Sequence, residues 1–244
     1  MKLNTDTVQI LNQDLLISAY LAQPDSSEKL PAVIVVQEIF GVNDHIQDIT
    51  RRIASEGYIA IAPAIYQRQA PNFTAGYTPE DVKIGREYKN QTKADELLSD
   101  IQATINFLYQ LPRVKKTGVG TIGFCFGGHV TYLTTILPEI KATASFYGAG
   151  ITNWCPAGSN VPTIARTKDI KGKIYCFFGE KDASIPPEQV TQIESELQKY
   201  QIPHQIFRYG EAEHGFMCDR RSSYHQESAQ DAWEKALELF KTTL

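Results

Sequence analysis

Long apolar runs are missing from this sequence. Nowhere do about 18 consecutive apolar residues occur, the length a helix needs to span a bilayer, and Met1-Lys2-Leu3-Asn4-Thr5-Asp6 lacks the apolar stretch of a signal peptide. Cysteine is scarce: four residues in 244, with no CxxC pair, are too few for a disulfide scaffold. Reduced thiols in a cytoplasm are therefore the expectation. Sequence separation does not measure distance in the fold, so a redox pairing with Cys125 stays open at this stage. An excess of positive charge is missing too. The 24 Lys and Arg stand against 28 Asp and Glu, and the basic residues form scattered pairs such as Arg51-Arg52, Lys115-Lys116 and Arg220-Arg221. That argues against nucleic acid as a partner. Internal repeats and low-complexity segments are absent. What remains, 42% hydrophobic and 21% charged residues, is ordinary globular composition. One domain over residues 1–244, without a membrane partner and monomeric, is expected.

Short β-branched runs alternate with longer helical patterns, the signature of βαβ units around a mostly parallel twisted sheet with helices on both faces. Val8 to Leu11 and Leu15 to Leu21, separated by Asn12-Gln13-Asp14, read as an edge hairpin. Ala32 to Val36 and Ile59 to Ala62 read as central strands, with a crossover helix over Ile46 to Ser55 between them. Thr78-Pro79-Glu80-Asp81 marks a helix start, and Thr92-Lys93-Ala94-Asp95 repeats the signal ahead of a helix that runs toward Pro112. Further strands are expected over Val119 to Gly123, Ala142 to Tyr147, Ile174 to Gly179 and Gln205 to Tyr209. Helices are expected over Pro187 to Tyr200 and Gln226 to Lys241. Gly148 to Lys171 is the longest irregular stretch.

Chemistry concentrates at Gly123-Phe124-Cys125-Phe126-Gly127-Gly128, which follows a strand signal and opens a helix signal. A nucleophile at such a turn is lifted above the sheet, with glycines two residues either side allowing the tight backbone path. The helix N-terminus favours the thiolate of Cys125. A triad needs an acid and then a histidine further along the chain. Asp182, just past one strand, and His214, past the last, stand in that order. His129 shares a helix face with Cys125 but should lie deeper against the sheet, in a packing role. His214 and Cys218 alone do not make a metal site, because no third and fourth ligands stand at usable spacing. Glu38 follows the strand that ends at Val36, close to the expected nucleophile.

With these residues in view the chain resembles the dienelactone hydrolase family, also called carboxymethylenebutenolidases, of the α/β-hydrolase superfamily. The resemblance rests on Gln37-Glu38-Ile39-Phe40-Gly41, Gln67-Arg68-Gln69-Ala70-Pro71, the Cys125 turn, Gly179-Glu180-Lys181-Asp182 and His214-Gly215-Phe216, and covers nearly the whole chain. It implies an α/β-hydrolase fold, a Cys125-Asp182-His214 triad and an oxyanion hole made by the backbone N–H groups of Ile39 and Phe126. It implies further that Glu38 holds the resting thiol protonated and takes its proton when substrate binds. The implied reaction is hydrolysis of a small ester or lactone through an acyl-thioester, with no cofactor and no metal. The alternatives are thioester or other acyl hydrolysis by the same triad, or a non-catalytic thiol sensor or ligand-binding protein on the same fold. The family places an Arg shortly after the catalytic His, where this chain has Cys218; Arg220 or Arg221 stands in a shifted position, with Arg86 as a second anion clamp. Tyr66, Tyr88, Tyr147 and Trp154 are expected around the pocket, at the strand ends where open α/β sheets bind ligands.

Overall fold

In the computed structural model, which describes residues 2–244, β1 (Leu3–Asn12) and β2 (Leu15–Pro24) form the antiparallel hairpin. It is longer than its apolar pattern indicates. Most of β1 between Asn4 and Gln9 is solvated, as befits an edge strand with one face in water, so the polar residues Asn4 to Thr7 pair without any hydrophobic signal. The rest of the sheet comprises β3 (Leu30–Val36), β4 (Ile59–Pro63), β5 (Val114–Phe124), β6 (Ile140–Phe146), β7 (Lys173–Gly179) and β8 (His204–Tyr209). Strand order is β1-β2-β4-β3-β5-β6-β7-β8. From β4 to β8 every pairing is parallel.

The α/β architecture is the one expected, with helices covering both faces. Along β3 the residues divide by the strand period of two. Val33 and Val35 join the core shared with Ile46, Ile49 and Ile53 of α1 (Asp44–Ser55) and with Leu239 and Phe240 of α6 (Gln226–Thr243). Ala32, Ile34 and Val36 face Leu97, Ile101 and Ile105 of α3 (Ala94–Gln110). The remaining helices are α2 (Pro79–Gln91), α4 (Phe126–Thr134) and α5 (Pro187–Lys199). Gly148 to Lys171 is largely irregular but contains a 3-10 helix over Thr163–Asp169.

One local expectation changes. Thr92 does not cap α3; its hydroxyl donates to the Lys89 carbonyl at the end of α2, and α3 starts behind Lys93 with no side-chain cap. Arg68 pairs with the buried Asp100 of α3, whose carboxylate also accepts from Asn12 Nδ2 at 2.7 Å. One residue thereby ties the loop after β4 to a helix and to the hairpin.

Because five consecutive pairings are parallel, the carboxyl ends of β3, β5, β6, β7 and β8 share one edge. The chain leaves that edge at Gln37, Cys125, Tyr147, Glu180 and Gly210, and the candidate residues collect there.

Candidate active site

Cys125 sits between β5 and α4 with φ 56° and ψ −116°. Such a backbone costs of order 1–3 kcal/mol in a non-glycine residue and persists only where its surroundings enforce it. Here close packing enforces it. A Cβ on Gly123 would lie 2.2 Å from the Gly127 carbonyl oxygen, and one on Gly127 would lie 2.2 Å from that of Val36. The two glycines let α4 lie against β5 and β3, which leaves Cys125 partly exposed at the apex while both its neighbours are buried.

Asp182 stands in the turn after β7, its Oδ1 accepting from the Ser184 N–H at 2.8 Å. Its Oδ2 lies 2.6 Å from His214 Nδ1, so the Nδ1 hydrogen points at that carboxylate and fixes the ring. Burial pushes the His214 imidazolium down, but the Cys125 sulfur and the hydrogen bond to Asp182 outweigh it and raise the ring to about 10. Tyr147 packs edge-on behind the imidazole, ring centroids 5.1 Å apart.

A cavity of about 330 Å³ opens over Cys125 and His214. Ile39, Phe40, Phe126 and Trp154 form its apolar wall, and Arg86, Lys89 and Arg221 bring cationic groups to it. The backbone N–H groups of Ile39 and Phe126 have no hydrogen-bond partner among the described residues. Both residues line the cavity together with Cys125. Glu38 is fully buried; Oε1 accepts from Arg221 Nη1 at 3.3 Å and Oε2 has no partner among the described residues.

Not every expected residue reaches this cavity. Arg220 points away and pairs with Asp44 at 3.0 Å on the surface; Arg221 takes the place beside Cys125. Tyr88 packs against Phe73 and Tyr66, centroids 4.9 and 6.0 Å apart, below the wall. Tyr66 is itself buried, as is Tyr147, which supports the site from behind. His129 lies within the fold, Nδ1 toward the Ala149 carbonyl at 3.2 Å and Nε2 toward the Thr163 hydroxyl at 2.8 Å. Desolvation pulls it down to about 3, so it stays neutral.

Lys89 was not singled out from the sequence. Its ammonium lies over the Trp154 ring, 4.5 Å from the centroid, and burial lowers its pKa. The signal was there: Lys89 follows Arg86 by three residues on one helix, which puts both on the same face. Cys218 stands with His45 and Asp219 rather than with His214, with one ligating atom from each of the three within 4.8 Å of the others.

The dienelactone hydrolase family model matches residues 17–244. The chain belongs to the dienelactone hydrolase family. A Synechocystis protein provisionally named a carboxymethylenebutenolidase is 56% identical over 99% of this chain and 98% of its own. One of the same provisional name from Escherichia coli K12 is 36% identical over 91% of this chain and 81% of its own. Among solved structures, a provisionally named dienelactone hydrolase from Klebsiella pneumoniae superposes with a TM-score of 0.90 at 33% identity, over 99% of each chain. For this member of the family, the side chain that reaches Glu38 from beyond the histidine is therefore Arg221.

Proposed function

We infer that this family member hydrolyses a small ester or lactone with Cys125 as nucleophile, His214 as acid and base, and Asp182 as the group that orients His214. The observation that carries this reading is the strained Cys125 beneath a cavity shared with His214, whose Nδ1 is held 2.6 Å from Asp182. Glu38 takes the Cys125 proton, and the thiolate attacks the carbonyl carbon while the His214 ring, raised to about 10, still holds its proton. The tetrahedral oxyanion is held by the N–H groups of Ile39 and Phe126, preorganised donors worth a few kcal/mol each. Collapse breaks the C–O bond, and His214 gives its proton to the leaving oxygen, which in a lactone stays tethered to the acyl chain. His214 then takes a proton from water, hydroxide adds to the thioester, and the carboxylate leaves as the thiol is restored.

Arg86, Lys89 and Arg221 around the cavity favour a substrate that carries a carboxylate of its own. Glu38 would then act as a gate that keeps the resting thiol protonated and takes its proton when substrate displaces Glu38 from Arg221. Four free cysteines fit a reducing cytoplasm.

The deciding measurement is steady-state hydrolysis of cis- and trans-dienelactone, with p-nitrophenyl acetate as a neutral ester, by wild type and Cys125→Ala. Loss of about 10³-fold or more in kcat/KM on Cys125→Ala is expected; turnover that survives this change would refute the mechanism. Glu38→Gln should speed alkylation of Cys125 by iodoacetamide, read by peptide mass spectrometry, and slow dienelactone turnover. If both rates stay put, Glu38 is no gate.

A further inference from the structure

On the far side of the Arg221 loop lies a cluster that the hydrolytic reading does not use. His45 is in the first turn of α1 and Cys218 follows Met217 in the turn after His214; both are buried, whereas the adjacent Asp219 is exposed. A His45 ring nitrogen, Cys218 Sγ and an Asp219 carboxylate oxygen lie within 4.8 Å of one another. His45 Nε2 is sealed from solvent and makes no hydrogen bond among the described residues, which is costly for a polar atom in a protein interior. A buried imidazole with an unpartnered nitrogen, grouped with a thiol and a carboxylate, points to a ligand.

We propose that His45, Cys218 and Asp219 form a binding site for a zinc-class divalent ion, with a fourth position open to water. The donor set selects the class. One imidazole, one thiolate and one carboxylate suit Zn²⁺, whereas Mg²⁺ and Ca²⁺ require oxygen ligands throughout. Size agrees as well. Ligand atoms around tetrahedral zinc lie about 3.5 Å apart, so the three groups close by little more than about 1 Å, a movement open to the exposed Asp219. On binding, the S–H bond of Cys218 breaks, its proton goes to solvent and the sulfur lone pair takes the metal. The Tyr77 hydroxyl, 3.3 Å from Cys218 Sγ, is placed to donate to the thiolate so formed.

The site is joined to the cavity without being part of it. The Arg221 N–H donates to the Cys218 carbonyl at 3.1 Å, and the Arg221 guanidinium lies over the Tyr77 ring, 5.5 Å from its centroid. An ion on Cys218 thus fixes the turn that delivers Arg221 to Glu38.

The test is titration of the full chain with Co²⁺ in a Cys125→Ala background, which removes the catalytic thiol from competition. One ion per chain is expected, with thiolate-to-cobalt charge-transfer absorption, tetrahedral visible bands and displacement by Zn²⁺. Adding Cys218→Ser should abolish the charge-transfer band. Adding His45→Ala or Asp219→Ala should weaken binding about tenfold or more. Asp219→Ala is the control for folding, because its side chain is on the surface and circular dichroism should be unchanged. A missing band in Cys125→Ala, a band that survives Cys218→Ser, or undiminished affinity in a folded Asp219→Ala protein would each overturn the assignment.

Discussion

His214 is pulled in two directions, and the balance is measurable. Burial alone would make its imidazole neutral, yet the Cys125 sulfur and Asp182 raise it to about 10. A folded-state value above the ordinary 6.5 means that the native state holds the proton more tightly. The stability this contributes is complete below pH 6.5 and is lost as pH rises from there through about 10. Cys125 is the largest raising influence, so Cys125→Ala should move the His214 ring titration, followed by NMR of the imidazole, to lower pH. The fall in stability between pH 6.5 and 10 should shrink with it. An unmoved titration would mean that Asp182 alone holds the proton.

At the scale of an element, the Cys125 turn depends on how closely α4 approaches the sheet. Gly127 stands where a Cβ would lie 2.2 Å from the Val36 carbonyl oxygen and 2.5 Å from that of Gln37. Gly127→Ala must therefore push α4 off β3, at a cost of about 1–3 kcal/mol. It should also displace Phe126, and with it one of the two free N–H groups. The expected result is a lower urea midpoint together with a loss of ester turnover that persists under conditions where the variant is fully folded. The Gly-x-Cys-x-Gly pattern reveals this element because its constraint is local. Thr92 shows the opposite case: the same hydroxyl suits the end of one helix or the start of the next, and three-dimensional placement gave it to α2.

Across the whole molecule, the Arg68–Asp100 pair ties the loop after β4 to α3 and, through Asn12, to the hairpin. Desolvation raises the Asp100 carboxyl, and Arg68 and Asn12 oppose that effect. Removing Arg68 leaves a buried carboxylate short of its cation. Arg68→Ala should cost about 3 kcal/mol by urea denaturation, and adding Asp100→Asn should recover part of that loss, since the two residues act as one unit. Strict additivity of the two changes would mean that the pair does not couple these elements.

The βαβ rhythm, the sheet with helices on both faces, and the order Cys125, Asp182, His214 were legible in the sequence. Apolar periodicity and turn chemistry are short-range, and strand ends in a parallel sheet fall on one edge whatever the side chains between them. The edges of the pattern were harder to read. Polar Asn4 to Thr7 join β1 because an edge strand can keep one face in water, and no apolar signal marks such residues. Which arginine faces the cavity was beyond the sequence as well. Arg220 and Arg221 are neighbours, and only the turn after His214 sends one to Asp44 and the other to Glu38. The approach of His45 to Cys218 and Asp219 was equally invisible, because α1 and the last loop meet only when the sheet brings β3 and the residues beyond β8 to the same edge. Residue type and local spacing determined what chemistry this chain carries; tertiary packing decided which side chains deliver it, because contacts between distant segments depend on how the layers close.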